Sequence, residues 1–154
     1  MPITLIDANN ISFDENSTAD VVTVDASDPD AGSNLTYSLG GADASELSIS
    51  NSGIITFNTS PDFETKNTFN VSVSVSDGSN VASQAITINI QDTNDPPVII
   101  GLGNTVNFTE HATALEVVTV NATDNDTLDT LTYSLSGADA ASTDPSQTSL
   151  LISD

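Results

Sequence analysis

From residue 69 the chain alternates. Phe69, Val71, Val73 and Val75 fall on one face while Asn70, Ser72, Ser74 and Ser76 fall on the other, the period of two that a half-buried strand requires. After Asp77-Gly78-Ser79-Asn80, Ile86, Ile88 and Ile90 alternate with Thr87, Asn89 and Gln91, so the two runs predict a hairpin across a polar, Gly-containing turn. Upstream, Val22 and Val24, then Leu35, Tyr37 and Leu39, then Leu47 and Ile49, then Ile55 and Phe57 give four more short segments separated by polar turns. Composition agrees. Ser, Thr, Asn and Asp supply 73 of the 154 residues and Val, Ile and Thr are abundant, while the helix formers Lys, Arg, Glu, Gln and Met are scarce. The expected fold is all-β: Greek-key, immunoglobulin-like β-sandwich repeats in tandem.

The tandem arrangement comes from self-comparison. Shifted by 96 places, Val21 to Ala44 lies on Val117 to Ala140 with 16 of 24 positions identical, including the run Leu-Thr-Tyr-Ser-Leu at Leu35 and again at Leu131. Nearer the start the offset is 95 and pairs Pro2 with Pro97, Phe13 with Phe108 and Glu15 with Glu110. A complete repeat is therefore expected over residues 1–96, and the N-terminal part of a second, truncated repeat over 97–154, with an insertion around Asp144-Pro145. The second repeat has no counterpart of the Phe69–Ile90 hairpin within these residues, which reads as a piece of a longer array whose last strands lie elsewhere. Both Tyr residues, Tyr37 and Tyr133, take core positions in this reading.

Charge narrows the chemistry. One Lys, no Arg and 22 acidic side chains give a formal net charge of -21, so a phosphate backbone finds almost nothing to neutralise it and nucleic acid is excluded as a partner. Anionic membranes are excluded likewise. No apolar run reaches the roughly 18 residues of a membrane span, so direct membrane insertion by this segment is not expected. Without Cys there is no disulfide or thiol chemistry. One His and one Lys leave no material for a nucleophile–base pair, and His111, beside Glu110, reads as a surface residue; the chain is not expected to be an enzyme.

The acidic residues gather in predicted turns: Asp14-Glu15, Asp28-Pro29-Asp30, Asp62-Phe63-Glu64, Asp77, Asp92-Thr93-Asn94-Asp95 and Asp124-Asn125-Asp126. Any one pair is most simply a solvated surface. Several of them crowded together repel unless a cation sits among them, and hard oxygen donors without Cys select Ca²⁺ over zinc or copper. Asp28-x-Asp-x-Gly32 opens like an EF-hand loop, but Leu39 stands at the twelfth position where that loop needs Glu.

Order and spacing of these groups resemble the cadherin repeat, as in the bacterial-type tandem repeats of large surface adhesins. Five stretches carry the resemblance: Glu15 in Phe13-Asp14-Glu15-Asn16; Asp28-Pro29-Asp30 with downstream Asn34; Gly53-Ile54-Ile55 leading to Asp62-Phe63-Glu64; Asp77 after the Val71-Val73-Val75 strand; and Asp92-Thr93-Asn94-Asp95-Pro96-Pro97 as inter-repeat linker. The resemblance implies up to three Ca²⁺ ions at a junction where Glu15, Asp62, Glu64, Asp92, Asn94 and Asp95 meet Asp124 and Asp126 of the following repeat. It also implies that Asp28, Asp30, Asn34 and Asp77 form half a site facing a preceding repeat. Departures are Pro96, where the family's linker often has a second Asn, and Thr130, at the place of Asn34. The implied role is a calcium-rigidified spacer or adhesion segment of a larger exported protein, extracellular or at the cell surface. Its partners would be neighbouring repeats of the same polypeptide and a cell-surface, matrix or polysaccharide ligand. Two alternatives stay open: a calcium-dependent carbohydrate-binding module, and a calcium-independent immunoglobulin-like sandwich whose acidity only maintains solubility.

Overall fold

Strands form where the chain alternates. A computed structural model of the chain describes residues 4–6, 9–29, 34–102, 118–126, 128–137 and 148–153. They belong to two compact units, Met1–Thr93 and Asn94–Asp154. The first holds β1 (Thr4–Ile6), β2 (Asn10–Asp14), β3 (Val22–Thr23), β4 (Asp25–Ser27), β5 (Thr36–Gly40), β6 (Leu47–Ile49), β7 (Ile54–Phe57), β8 (Thr68–Ser76) and β9 (Val81–Gln91), with one 3-10 turn at Ala44–Glu46. The second holds β10 (Val98–Ile100), β11 (Asn121–Thr123), β12 (Thr132–Gly137) and β13 (Thr148–Ser153). Asp30, Glu110, His111 and the insertion around Asp144-Pro145 lie outside the described residues.

In the first unit a four-stranded sheet, in order β2-β9-β8-β5, faces a three-stranded sheet, in order β3-β7-β6, and β1 pairs with β4. The β8–β9 hairpin has the expected register, with Phe69 opposite Ile88 and Val71 opposite Ile86. Its apolar face is buried, and Val24, Leu47 and Ile55 meet it from the other side to form one continuous core. Each such side chain contributes about 1.5 to 3 kcal/mol on leaving water, which fixes the register of every strand that carries one. Phe57 joins the layers, its ring centroid 5.4 Å from that of Phe13 and 4.9 Å from that of Phe69.

Two turns show why particular residues stand in them. Gly53, between β6 and β7, has φ +82, and a Cβ there would lie 2.5 Å from the carbonyl oxygen of Val24. Only Gly permits that approach, which lets the Val24 N–H donate to the Gly53 carbonyl at 2.8 Å. At the β8–β9 turn, Asp77 Oδ1 accepts the N–H of Ser79 at 2.7 Å and of Asn80 at 2.6 Å, and Oδ2 accepts Asn80 Nδ2 at 2.9 Å. This is an Asx turn, with the side chain standing in for backbone.

In the second unit β10 pairs antiparallel with β11, repeating the β1–β4 pairing. β12 repeats the Thr-Tyr-Ser-Leu of β5, but its neighbour is β13 where β5 has β8. The placement of both Tyr residues in a core needs correction here. Tyr37 is half-buried against the core, whereas Tyr133 is 51% exposed and Leu135 is 56% exposed. The Val-rich strand whose residues flank Tyr37 and Leu39 in the first unit is not what lies beside β12.

Candidate metal centre

The arrangement in the first unit starts with one buried carboxylate. β2 runs parallel to β9, Asp14 opposite Gln91, and the Glu15 N–H extends the ladder to the Gln91 carbonyl at 3.1 Å. The Glu15 side chain then turns inward and is 3% exposed. Oε2 accepts the N–H of Phe63 at 2.8 Å and Oε1 the N–H of Thr93 at 2.8 Å. Those two amides adjoin Glu64 and Asp92 in the chain. By holding both segments, Glu15 brings its own oxygen and those of Glu64 and Asp92 within 4.8 Å of one another.

Lys66, the single Lys or Arg, sits 2.6 Å from Asp43 Oδ1 and 2.6 Å from Glu46 Oε1, 4.3 Å from the centroid of Phe69. Hydrogen bonds to Asp43 and then Glu46 raise the Lys66 pKa, and the Asn70 backbone N–H, with Lys66, lowers that of Asp43. At such separations two carboxylates repel by between about 1 and 3 kcal/mol, depending on whether water or a protein surface sets the effective dielectric.

Asp62 lies outside the group. Its Oδ1 accepts the Thr65 N–H at 3.0 Å and its Oδ2 the Thr65 hydroxyl at 2.8 Å, and these bonds, the hydroxyl's first, lower its pKa. At the far end of the hairpin, nine paired residues away along β8, Asp77 is engaged in its own turn. Hydrogen bonds from the Asn80 side chain, then from the backbone of Asn80 and Ser79, lower its pKa to about 2. Asp28 follows β4, and exposed Asn34 precedes β5 at the Asp77 end, since Thr36 pairs with Ser76.

The second unit gathers another set. Asp124, Asp126 and Asp129 bring one oxygen each within 4.8 Å of one another. The loop after β11 is shaped by its own carboxylates: Asp126 N–H donates to Asp124 Oδ1 at 3.0 Å and Asp129 N–H to the Asp126 carbonyl at 3.0 Å. Asp95 joins through its backbone N–H, 2.5 Å from Asp126 Oδ2, and its Oδ2 accepts Asn125 Nδ2 at 3.3 Å. Asn94 Nδ2 donates to the Asp95 carbonyl at 3.1 Å. Asp124 Oδ2 is buried and accepts no hydrogen bond. A carboxylate oxygen withdrawn from water without a donor is costly, and a cation or a bound water is the kind of group that satisfies it. The donors of both sets are all carboxylate oxygens, the chemistry of Ca²⁺. Asp129 was not singled out from sequence, because its counterpart in the first repeat is Ser33 and repeat comparison hides it; the spacing Asp124-x-Asp126-x-x-Asp129 was the available signal.

Comparison with known proteins places the chain in a family. Residues 2–90, more than half of the chain, match the family model described as Bacterial Ig domain. The chain belongs to the bacterial Ig domain family. No curated protein matches it in sequence. Among solved structures, this bacterial Ig domain protein resembles form II of human protocadherin-24 EC1-2, with TM-score 0.64 and 22% identity over 92% of this chain and 71% of that one. A second is human CDH23 EC21-23, with TM-score 0.60 and 23% identity over 88% of this chain and 48% of that one. A third is protocadherin gamma B7 domains 1-4, with TM-score 0.57 and 24% identity over 99% of this chain and 41% of that one. The chain spans 66 to 71% of the two protocadherin-24 chains and less than half of the longer ones. The likeness is one of fold: an all-β, cadherin-like immunoglobulin-type repeat.

Proposed function

We propose that this bacterial Ig domain protein is a calcium-binding spacer or adhesion segment of a larger extracellular or cell-surface protein, its tandem repeats stiffened by Ca²⁺ at their junction. The observation that carries the reading is Asp124 Oδ2, buried without a donor beside the oxygens of Asp126 and Asp129. Glu15, Glu64 and Asp92 supply donors from the first repeat, and Asn94, Asp95, Asp124, Asp126 and Asp129 from the linker and second repeat. Asp62 adds a donor only on releasing Thr65. Asp28, Asp30, Asn34 and Asp77 serve a preceding repeat. Bound Ca²⁺ cross-links carboxylates that otherwise repel, turning the linker Asp92-Thr93-Asn94-Asp95 from a hinge into a strut. The role is mechanical, with no reaction to catalyse.

Extracellular calcium modules bind at roughly 0.1 to 1 mM, which suits surroundings outside the cell and not a resting cytosol. Calorimetric titration of the full chain is expected to show saturable Ca²⁺ binding in that range, weakened about tenfold or more by Asp124→Asn. A flat titration of the unmodified chain removes the calcium reading and leaves the acidity as a solubility device.

A further inference from the structure

One cavity in the first unit belongs to neither carboxylate set. It lies between the end of β7, the loop that follows, the 3-10 turn at Ala44–Glu46 and the start of β8, and encloses about 410 Å³. Ligand sites occupy roughly 300 to 1,000 Å³. Phe57, Pro61 and Phe69 supply its apolar wall, and its other lining residues carry hydroxyl, amide, carboxylate or ammonium groups, Glu46, Asp62 and Lys66 among them. Phe57 is only partly buried, so the core leaves some of its surface to be covered. Asp62, which lies outside the Glu15 group and is bonded to Thr65, has its place here instead.

The charges of the wall restrict what can enter. An anion meets the carboxylates of Glu46 and Asp62, and the one ammonium, Lys66, already serves Asp43 and Glu46 at 2.6 Å each. A cation meets that same ammonium, which also takes the Phe69 ring, 4.3 Å from its centroid. A wholly apolar group would strip water from these polar groups without replacing its hydrogen bonds. A neutral polyol avoids all three costs. We infer that this cavity is a calcium-independent binding site for a neutral sugar unit of a polysaccharide. A sugar ring offers a C–H face to Phe57 and Pro61, while its adjacent hydroxyls donate to a carboxylate and accept from an ammonium, bonds that charge makes roughly twice as strong as neutral ones. The two oxygens of Asp62 offer about four lone-pair sites, of which the Thr65 N–H and hydroxyl take two, leaving acceptor capacity for a ligand hydroxyl. Asp43 and Glu46 hold Lys66 in place before any ligand arrives, so little side-chain freedom is lost on binding.

The test is run in chelator, so that the sugar site and the metal centre fail separately. Neutral oligosaccharides of glucose, of mannose and of galactose are titrated into the isotopically labelled full chain while its amide resonances are followed. At least one should give saturable shifts at residues 45–46, 57–62 and 65–69, with a dissociation constant on the order of 1 mM. Phe57→Leu keeps an apolar side chain but removes the ring, and should weaken binding about tenfold. Because Phe57 also packs on Phe13 and Phe69, a second variant leaves the core alone: Ser60→Leu, at an exposed lining position, should fill the cavity and abolish the shifts with Tm unchanged. Asp124→Asn, in the second unit, should bind sugar as the unmodified chain does. Absence of saturable shifts with all three sugars up to about 10 mM overturns the inference. So does binding that Ser60→Leu leaves intact, and so does binding that appears only when calcium is added. A short apolar peptide that shifts these amides where the sugars do not assigns the cavity to a protein partner and overturns it too.

Discussion

Replacing Glu15 by Gln separates the structural duty of this carboxylate from its duty toward a metal. Gln keeps the shape but has one acceptor oxygen where Glu has two, so either the Phe63 or the Thr93 N–H, each 2.8 Å from the carboxylate, comes to face an amide NH₂. A buried donor left without its charged partner costs about 1 to 3 kcal/mol. Against this, removing the charge relieves repulsion with Glu64 and Asp92, about 1 to 3 kcal/mol per pair. The two effects are comparable and opposed, so metal-free stability changes little and is a poor diagnostic. The calcium increment decides. At 100 times its dissociation constant, Ca²⁺ adds about 2.7 kcal/mol to the folded state. For the 93-residue first unit that raises Tm by roughly 10 to 20 °C. A tenfold loss of affinity in Glu15→Gln leaves about 1.4 kcal/mol at the same calcium concentration, so the increment should halve. Thermal unfolding followed by circular dichroism, in chelator and in calcium, reads both quantities. Glu64→Gln, exposed and not holding the two amides, should reduce the increment while leaving metal-free Tm unchanged or raised. Equal calcium increments in Glu15→Gln and the unmodified chain would refute the ligand assignment, and no increment in either would refute the centre.

Gly53→Ala should destabilise the first unit by about 2 kcal/mol or more, through a left-handed φ and a clash with the Val24 carbonyl, lowering Tm by about 8 °C or more in chelator while the calcium increment stays as it was. The Asp77 pKa is lowered from 3.8 to about 2, so its contribution is complete above pH 3.8 and is lost as pH falls through about 2. Between those values Asp77→Ala should show a shallower acid loss of protection at the Ser79 and Asn80 amides than the unmodified chain, measured by hydrogen exchange.

The hairpin was legible because burial at period two writes itself into sequence: Phe69 to Val75 and Ile86 to Ile90 can face inward in only one register. The gathering of acidic residues in turns is also visible in the sequence, but which of them meet is decided by strand pairing. Other features left no such mark. The parallel pairing of β2 with β9 brings residues about 77 apart in the chain side by side, and no local pattern records it. The duty of Asp62 toward Thr65 competes locally with a metal duty, and sequence alone gives both residue types equal claim. Tyr133 shows the limit of repeat logic. An identical pentapeptide predicts an identical strand, but burial belongs to the neighbour, and β12 has a different one.

The two carboxylate sets differ in what already satisfies them, and that difference says how a metal can act. Glu15 is buried with both oxygens engaged by backbone amides, so it has a structural duty in the first unit, tying the segments of Glu64 and Asp92 together. Asp124 is anchored through Oδ1 alone, its Oδ2 withdrawn from water with nothing to accept from. The cost of that oxygen falls on the loop after β11 until a cation, a water or a rearrangement relieves it. On the proposed calcium reading, an ion on the second side would relieve an unpaired oxygen and on the first side would relieve repulsion among carboxylates. An apolar core that owes nothing to carboxylates, beside loops that gather them, fits the proposed device in which calcium changes stiffness and leaves the first repeat's core intact.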